Sequence, residues 1–572
     1  MVRAGSVMRQ TACEIFGRQA PVSPPPAQLR ARSATGRMSA PVTPAAVKGI
    51  FRGPGARVRG AFLVCAVVFA WAVTQFHDPR TGFTSLLMIG DAIDARTVTR
   101  LREAPHYVYE DSAGYDGAYY VQLALYPTLN NPELKDSIDN LPYRARRALF
   151  GWISWGLGLG QPSLVVQAQS LLNVFCWFAL GWVLMRWFPP NSWENFMRWF
   201  GLMFSHGVCM SVRDSLVDGP ALLLVALAMR WAEEGRRGPA IGMLALGGLG
   251  KETSLLAVMG LAQGVADGDR RSLRRFVAAG AIVAAPLLLW MAYVRWKFGP
   301  VEDPGLGNFT WPLRGLAEKW GAVIHDLVAD PSSRLLRATA AAVVGVTVQL
   351  IFFLTRWQPR EAWWRIGATF AVMTVVLSTP VWEGYPGAFT RVVLPMLLAF
   401  NIVIPRGRRW LPVLLAGNLS VFAGFSEFSP PPREFVQLEG GPALVAKVQI
   451  KPVGWYGREA DHGRRWRWSA GSSSLLVRNS GSHPVVLKGR GQARAASEAR
   501  TLLIRGGAGT LWSGQLGESR VAVEFEWTAE PGETTLSFET DRPPNLVGAD
   551  PRLLAFSVSD LEIVVQPASG HP

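Results

Sequence analysis

Long apolar runs recur through the first 426 residues of this 572-residue chain. Most are about 17–25 residues long, the length that a helix needs to cross a bilayer. Two of them, 239–250 and 253–266, are too short to be independent full spans. We therefore predict a polytopic α-helical membrane protein with about eleven spans. The runs lie at residues 60–76, 163–187, 196–211, 216–232, 239–250, 253–266, 276–294, 338–355, 366–382, 390–404 and 410–426.

The two ends of the chain differ from this apolar part. Residues 1–58 are rich in Pro, Ala, Ser and Arg and predict a disordered basic tail. A stiff Pro-rich linker closes the membrane domain, which we expect over residues 59–428. Short alternating segments spaced by Gly, Ser and Pro then predict an exported all-β sandwich over residues 433–572. They lie at 474–477, 484–488, 501–505, 521–527, 534–539 and 554–565.

The formal charge of +16 is concentrated in the tail and in short loops. Five basic loops alternate with loops whose basic residues lie beside acids, which places the N-terminus in the cytoplasm. An odd number of spans then exports residues 433–572. The pattern favours a multi-pass protein of the cell inner membrane and argues against nucleic-acid binding. The basic loops contain Arg186 and Arg198, Arg236 and Arg237, Arg270 to Arg275, Arg356 to Arg365, and Arg406 to Arg409.

Cysteine and histidine spacing excludes two further classes of protein. Four cysteines form no Cys-x-x-Cys pair, so no disulfide framework is predicted. Seven histidines lack metal-ligand spacing, which argues against a His-based zinc site. A divalent cation, Mg²⁺ or Mn²⁺, stays open: no Asp-x-Asp motif occurs, and the nearest acid pair, Asp91 and Asp94, has a longer spacing.

The first outside loop, about residues 78–150, carries a glycine-flanked acid among aromatics, Asp116 within the sequence Gly-Tyr-Asp-Gly-Ala-Tyr-Tyr. Arg144 and Arg147 follow in the same loop. A carboxylate can take a proton from an attacking hydroxyl, and guanidinium groups can hold a phosphate with two hydrogen bonds. Taken singly, Asp116 is better explained as a turn cap and the arginines as contacts to lipid headgroups. Their occurrence together in one loop favours an active site.

The order of three motifs in this loop resembles that of bacterial polytopic glycosyltransferases of the GT-C superfamily, which use sugars carried on polyprenyl phosphates. The motifs are residues 82–86, 114–117 and 143–147. The resemblance covers roughly residues 60–430 and implies that an acid of the first outside loop is the catalytic base. It points to Asp116, while Asp91 and Asp94 lie nearer the first span, where several members place the essential acid.

Charged residues inside the apolar runs are expensive unless they face a cavity or each other. Lys251 has two readings, an internal ion pair with Glu252 or Asp218 and a contact to the donor's phosphate. Arg391 either binds the phosphate as well or snorkels to the interface. We predict Arg144, Arg147, Lys251 and Arg391 as phosphate ligands. The predicted acceptor site or site wall consists of Tyr115, Tyr119, Asp218 and Glu252.

The resemblance implies an enzyme that transfers one sugar from a polyprenyl-phosphate carrier to a hydroxyl of an outward-facing glycan, glycolipid or protein. A membrane-embedded polysaccharide ligase or polymerase is one alternative. A flippase or transporter of lipid-linked sugar is another, although transporters tend to show paired repeats and none is evident in the sequence. The predicted sandwich resembles carbohydrate-binding modules, but its aromatic residues are more often core residues.

Overall fold

The computed structural model describes residues 55–568, apart from short gaps. The tail predicted for residues 1–58 therefore lies almost wholly outside the described residues. So do the loop acids Glu110 and Asp111. The gaps are at 79, 95, 110–111, 266, 300–304, 384–387, 432–434, 446, 462–463, 508 and 549.

Within the described residues, four helices are long and apolar enough to cross a membrane: Ala56–Thr74, Pro162–Leu184, Arg270–Phe298 and Arg334–Thr355. A fifth span results if the segments Arg408–Gly417 and Val421–Phe428, which meet at a 43° bend, are counted as one. These segments comprise the 3-10 turn Arg408–Trp410, the helices Leu411–Gly417 and Val421–Gly424, and the 3-10 turn Phe425–Phe428. The membrane character of the chain is thus supported, whereas a count of about eleven spans stays a prediction.

The other predicted spans correspond to shorter helices, because polar or charged residues interrupt the apolar runs. The run 196–211, for example, is divided near Ser205 into two helices, and Lys251 ends a third. The helix Arg314–Ala329 has no predicted counterpart. The shorter elements are Trp193–Met203, His206–Arg213, Asp218–Glu233, Arg237–Gly250, the 3-10 helices Glu252–Leu261 and Leu306–Asn308, Ala362–Val375, Thr379–Glu383, Ala388–Val392 and Leu394–Val403.

The first outside loop folds into a small helical unit with its own apolar core. Leu87, Leu101 and Val121 are fully buried there, and the core continues onto Val165 of the following long helix. This packing gives the loop fixed positions for polar side chains. Its elements are the 3-10 helix Thr84–Leu87 and the helices Asp91–Asp94, Thr99–Glu103, Asp116–Leu125, Leu134–Ser137, Leu141–Ala145 and Leu149–Leu157.

Among its described residues, the C-terminal domain consists of β-strands and one short helix, Pro442–Val445. Each of the six predicted strand segments overlaps an observed strand. Ten strands form one sheet with the path β7-β6-β9-β4-β12-β5-β8, while β1 pairs with β12, and β2 and β3 pair with β4. A separate hairpin joins β10 and β11. The strands are β1 Val436–Gly440, β2 Val448–Trp455, β3 Glu459–Asp461, β4 Arg464–Asn479, β5 Val485–Ala495, β6 Arg500–Gly506, β7 Gly509–Leu516, β8 Val521–Ala529, β9 Gly532–Thr540, β10 Asn545–Val547, β11 Asp550–Leu554 and β12 Phe556–Pro567.

This sheet differs from the predicted sandwich of two separate sheets, because β4 belongs to both layers. Residues 464–469 pair with β3 and β12, whereas residues 472–479 pair with β2 and β9. Gly471, with φ of 106°, lies where β4 changes partners, a backbone conformation that favours glycine. The folded-over sheet encloses one core that includes Leu475, Phe525 and Phe556.

Candidate active site

Asp116 occupies the first turn of the helix Asp116–Leu125, where the helix dipole favours a negative charge. The turn before it is tight. Gly114 has φ of 68°, and a Cβ atom there would approach the Gly90 nitrogen to 2.8 Å. The Tyr115 amide donates to the Met88 carbonyl at 2.9 Å. These contacts explain why position 114 is a glycine, and they fix the backbone from which the Asp116 side chain projects.

Arg144 connects Asp116 to a second acid of the loop. Its Nη1 lies 2.7 Å from Asp116 Oδ1. Its Nε and Nη2 donate to Asp139 at 3.1 and 2.9 Å, and its guanidinium lies 4.9 Å from the ring centre of Tyr119. Burial raises the pKa of Asp139, but the hydrogen bond and charge of Arg144 outweigh it, so this pKa lies below its usual value. Asp139 is therefore ionised at neutral pH.

Arg147 joins the loop to the 3-10 helix that begins at Glu252. Its Nε and Nη2 donate to the two oxygens of Glu252 at 2.9 and 2.8 Å, a bidentate pair. Nη1 donates to the Tyr120 hydroxyl at 2.6 Å. Arg146 stacks on the ring of Tyr143 at 4.2 Å and lies 3.9 Å from Glu252. Two neighbouring arginines thus share one carboxylate.

Asp218 connects the other two predicted phosphate ligands. It begins the helix Asp218–Glu233 and is buried, and its two oxygens pair with Lys251 and Arg391. Arg391 Nη1 lies 3.3 Å from Asp218, while Nη2 donates to the Tyr115 hydroxyl at 2.7 Å. Lys251 therefore pairs with Asp218, one of the two acids named from the sequence. Arg391 is also paired inside the protein.

These groups form one electrostatic cluster, which we call the cation cluster: Arg144, Arg146, Arg147, Lys251 and Arg391 with the acids Asp116, Asp139, Asp218 and Glu252. Its parts are adjacent, since Glu252 follows Lys251 in the sequence, and Tyr115, which accepts a hydrogen bond from Arg391, precedes Asp116. With five cations and four acids, the cluster carries a formal surplus of one positive charge. Such a surplus in a partly buried site favours an anionic ligand.

Asp91 and Asp94 have different surroundings from Asp116. Asp94 lies 2.9 Å from His106 Nε2, and the other cations that act on it are Lys451 and Arg102. Burial raises the pKa of Asp94, but the hydrogen bond and charge of His106 bring it below its usual value. Asp91 accepts the amide of Ser112 at 3.1 Å, so it joins two segments of the loop that are 21 residues apart.

The geometry adds three residues to which the sequence alone assigned no role: Asp139, Tyr120 and Tyr143. Tyr120 lies one helical turn after Asp116, a spacing that places both on one helix face. Tyr143 lies four residues before Arg147, and its hydroxyl accepts from Arg147 Nη2 at 3.3 Å. Helical spacing within the loop was the available signal for both tyrosines. The described residues contain no group of three His, Cys, Asp or Glu side chains that could hold a metal ion.

Burial distinguishes the acids of the cluster from one another. Asp116 keeps 24% of its side chain exposed, whereas Asp218 keeps 5%. The carboxylate of Asp116 is therefore accessible to solvent, while that of Asp218 is enclosed by the protein. Burial raises the pKa of Tyr115 above its usual value, so its hydroxyl stays neutral beside Arg391.

Comparison with known proteins gives only distant likenesses. No protein-family model and no curated protein matches the chain. Among solved structures it is similar to a variant of the arabinofuranosyltransferase AftD from mycobacteria, at 11% identity and a TM-score of 0.32, over 89% of this chain and 61% of that chain. It is also similar to the arabinosyltransferase EmbB from Mycobacterium smegmatis, at 11% identity and a TM-score of 0.23, over 92% and 66%.

The chain spans less than two thirds of the length of either of these solved structures. Likenesses of this strength do not bear on the chemistry of the cation cluster. That chemistry depends on the contacts described above.

Proposed function

We propose that the protein is a GT-C-type membrane glycosyltransferase that transfers a sugar from a polyprenyl-phosphate carrier to a hydroxyl of an outward-facing glycan, glycolipid or protein. The observation that carries this proposal is the cation cluster. It brings together cations from three separate parts of the chain: Arg144 contacts the accessible acid Asp116, while Lys251 and Arg391 contact Asp218. A phosphate and a reacting hydroxyl need those two kinds of group side by side.

The donor's phosphate is the ligand to which the surplus positive charge is suited. Arg144 and Arg147 offer planar forks, and a phosphate oxygen pair matches that geometry. Lys251 supplies a point charge next to Arg391, since the two cations pair with the two oxygens of Asp218. In the empty cluster the acids hold these cations in place. An entering phosphodiester would take over part of their hydrogen bonds at little cost in reorganisation.

Asp116 is the general base in this proposal. Its Oδ1 is held by Arg144, so the carboxylate has a fixed orientation, and its exposed part is open to an acceptor. The proton of the acceptor hydroxyl passes to Asp116 while the hydroxyl oxygen bonds to the anomeric carbon. The bond from that carbon to the phosphate oxygen breaks, and its electron pair leaves with the phosphate. The cations stabilise the charge that develops there.

Tyr115 and Tyr119 form the proposed wall on the acceptor side. Tyr119 lies one turn after Asp116 and stacks under Arg144, while Tyr115 precedes Asp116 and bonds Arg391. An aromatic ring offers an apolar face to a sugar ring, and a phenol offers a hydrogen bond to its hydroxyls.

The proposal includes a cellular location. The protein would be a multi-pass inner-membrane protein with a cytoplasmic tail at residues 1–58 and an exported β domain at 433–572. The apolar helices support the membrane part. The alternation of basic loops supports the orientation. With this orientation the first loop, and with it Asp116, faces outward.

Comparison of a deletion strain with its parent tests the function. Loss of the enzyme should remove one sugar from an envelope glycan, glycolipid or glycoprotein, and the unused lipid-linked sugar should accumulate. Lipid mass spectrometry and glycan analysis measure both changes. An unchanged glycan profile with no accumulated carrier would contradict the proposal. Accumulation of whole lipid-linked chains would instead favour a ligase or polymerase.

A further inference from the structure

Two complementary polar atoms near the cation cluster have no partner among the described residues. Arg391 uses Nη1 and Nη2 in hydrogen bonds, but its buried Nε donates to nothing. Asp214 is only 3% exposed, and its Oδ2 accepts from nothing. A buried donor or acceptor without a partner costs free energy, so each such atom needs an explanation.

Asp214 is not held by the arginine beside it in sequence. Arg213 Nη1 lies 3.7 Å from Asp214 Oδ1, which is too far for a hydrogen bond. The Arg213 guanidinium is instead engaged with the Ser85 carbonyl at 3.2 Å and the Tyr109 hydroxyl at 2.8 Å. The Asp214 carboxyl group is therefore left for another partner.

The helix that ends just before Asp214 packs against the short helix that carries Arg391, since a Cβ atom on Gly207 would come within 3.0 Å of the Arg391 backbone nitrogen. The charges of Asp214 and Arg391 also act on one another. The backbone around Asp214 also abuts the start of the Asp116 helix, since a Cβ atom on Gly117 would come within 2.2 Å of the Asp214 carbonyl oxygen. The next residue, Ser215, has φ of 48°, a left-handed conformation that L residues rarely adopt. Strain of this kind is often kept at functional sites.

We propose that Asp214 is a positioning residue for Arg391: when the donor's phosphate takes the two Nη groups, the Asp214 carboxylate accepts the Nε–H and fixes the guanidinium plane. Asp218 then keeps Lys251 as its partner. This role rests on the proposed function, because it assumes a phosphate at Arg391. It would make two acids alternate as partners of one arginine, Asp218 in the empty site and Asp214 in the occupied one.

The titration of Asp214 gives this role a measurable sign. Burial raises the pKa of Asp214 to about 7. The negative charges of Glu427 and Asp116 add to this rise, and the positive charges of Arg213 and Arg391 oppose it. Tyr109 and Tyr115 also face Asp214. Pairing with Arg391 requires the ionised carboxylate, so phosphate binding should release a proton and strengthen as pH rises through about 7. Glu427, whose charge acts on Asp214, lies 3.0 Å from His206 Nε2.

Binding of methyl farnesyl phosphate to the full-length protein in lipid nanodiscs tests the proposal. This probe is a prenyl phosphodiester, so it lacks the second ionisation that a monoester has at about 6. The dissociation constant is measured at about pH 6 and about pH 8 for wild type, Asp214→Asn and Asp136→Asn. Asp136 is an exposed acid of the same loop and serves as the matched control.

We expect wild type and Asp136→Asn to bind about tenfold more tightly at the higher pH, the scale of one hydrogen bond to a charged group. Asp214→Asn should match wild type at the lower pH, which shows that it is folded, and should gain nothing at the higher pH. Retention of the pH dependence in Asp214→Asn would assign it to another group and overturn the proposal. Weak binding of Asp214→Asn at both pH values would also overturn the proposal, because it would show that Asp214 has a structural role instead. Failure of wild type to bind at either pH would contradict the proposed function itself, and this role with it.

Discussion

Asp116 and Arg144 are joined by an ion pair of 2.7 Å, and Arg144 uses its remaining donors on Asp139. One arginine therefore connects the accessible acid of the first loop to a second carboxylate. Its fork geometry, rather than its charge alone, sets the position of Asp116. Side-chain shape at this position should consequently matter for the reaction.

Arg144→Lys keeps the charge and removes the fork. We expect the donor concentration for half-maximal rate to rise by about tenfold or more, the scale of a lost hydrogen bond to a charged group. The dependence on acceptor concentration should hardly change. Steady-state rates with each substrate varied in turn measure this split. Arg100→Lys, an exposed arginine of the same loop, is the control. A change confined to acceptor dependence would place Arg144 on the acceptor side instead.

The bidentate pair of Arg147 and Glu252 should stabilise the fold across a long sequence distance. Arg147→Gln or Glu252→Gln alone leaves a partly buried charge without its main partner, which costs about 1–3 kcal/mol of unfolding free energy. The double variant should recover part of that loss. Chemical unfolding in detergent gives the four free energies of the cycle. The exposed pair Arg314 and Glu318 is the matched control and should show no measurable coupling. Additive losses for Arg147 and Glu252 would refute the pairing.

Gly117 has no room for a side chain, since a Cβ atom would lie 2.2 Å from the Asp214 carbonyl oxygen and 2.7 Å from that of Leu87. Gly117→Ala should therefore lower the unfolding free energy by about 1–3 kcal/mol through overpacking. Gly156→Ala is the control, because that helical glycine has open space around it. It should keep or raise the melting temperature. Equal melting temperatures for both variants would mean that the approach of Asp214 to this helix is wrong.

Topology reporters test the orientation on which an outward-facing site depends. Fusions after Arg237, Arg275 and Arg409 should report a cytoplasmic position, because these residues belong to basic loops. A fusion after Pro432 should report export. A phosphatase reporter, active only outside, and a green fluorescent reporter, active only inside, measure the two cases. A cytoplasmic result after Pro432 would mean that the number of spans is even.

Local patterns predicted the parts of the structure that local forces determine. Alternation of apolar and polar residues located parts of β4, β5, β6, β8, β9 and β12 but not β1, β2, β3, β7 or β10. The corner at Gly471 is a long-range feature that alternation does not contain. Apolar length predicted the long helices. It could not predict the division of the run 196–211 into two helices, because His206 at that break makes tertiary contacts with Thr390 and Glu427.

The same distinction applies to the candidate site. The glycines beside Asp116 and the spacing of Arg144 and Arg147 indicated a site within one loop. Asp214 was overlooked as a site residue, because its sequence neighbour Arg213 seemed to account for its charge. In the structure Arg213 turns to Tyr109 instead. Which of two adjacent charges is truly paired depends on side-chain direction, and sequence adjacency does not give it.

Turnover of Asp116→Asn tests the central claim most directly. The transfer reaction identified from the deletion strain is measured for wild type, Asp116→Asn, Asp91→Asn and Asp94→Asn, each at matched membrane levels. The account predicts that Asp116→Asn inserts normally and loses roughly two to four orders of magnitude in turnover, the scale of a removed general base. Asp91→Asn and Asp94→Asn should stay within about tenfold of wild type. An active Asp116→Asn beside an inactive Asp91→Asn or Asp94→Asn would assign the base to another acid of the loop. Full activity of all three variants would contradict the claim that an acid of this loop is the general base of a glycosyltransferase.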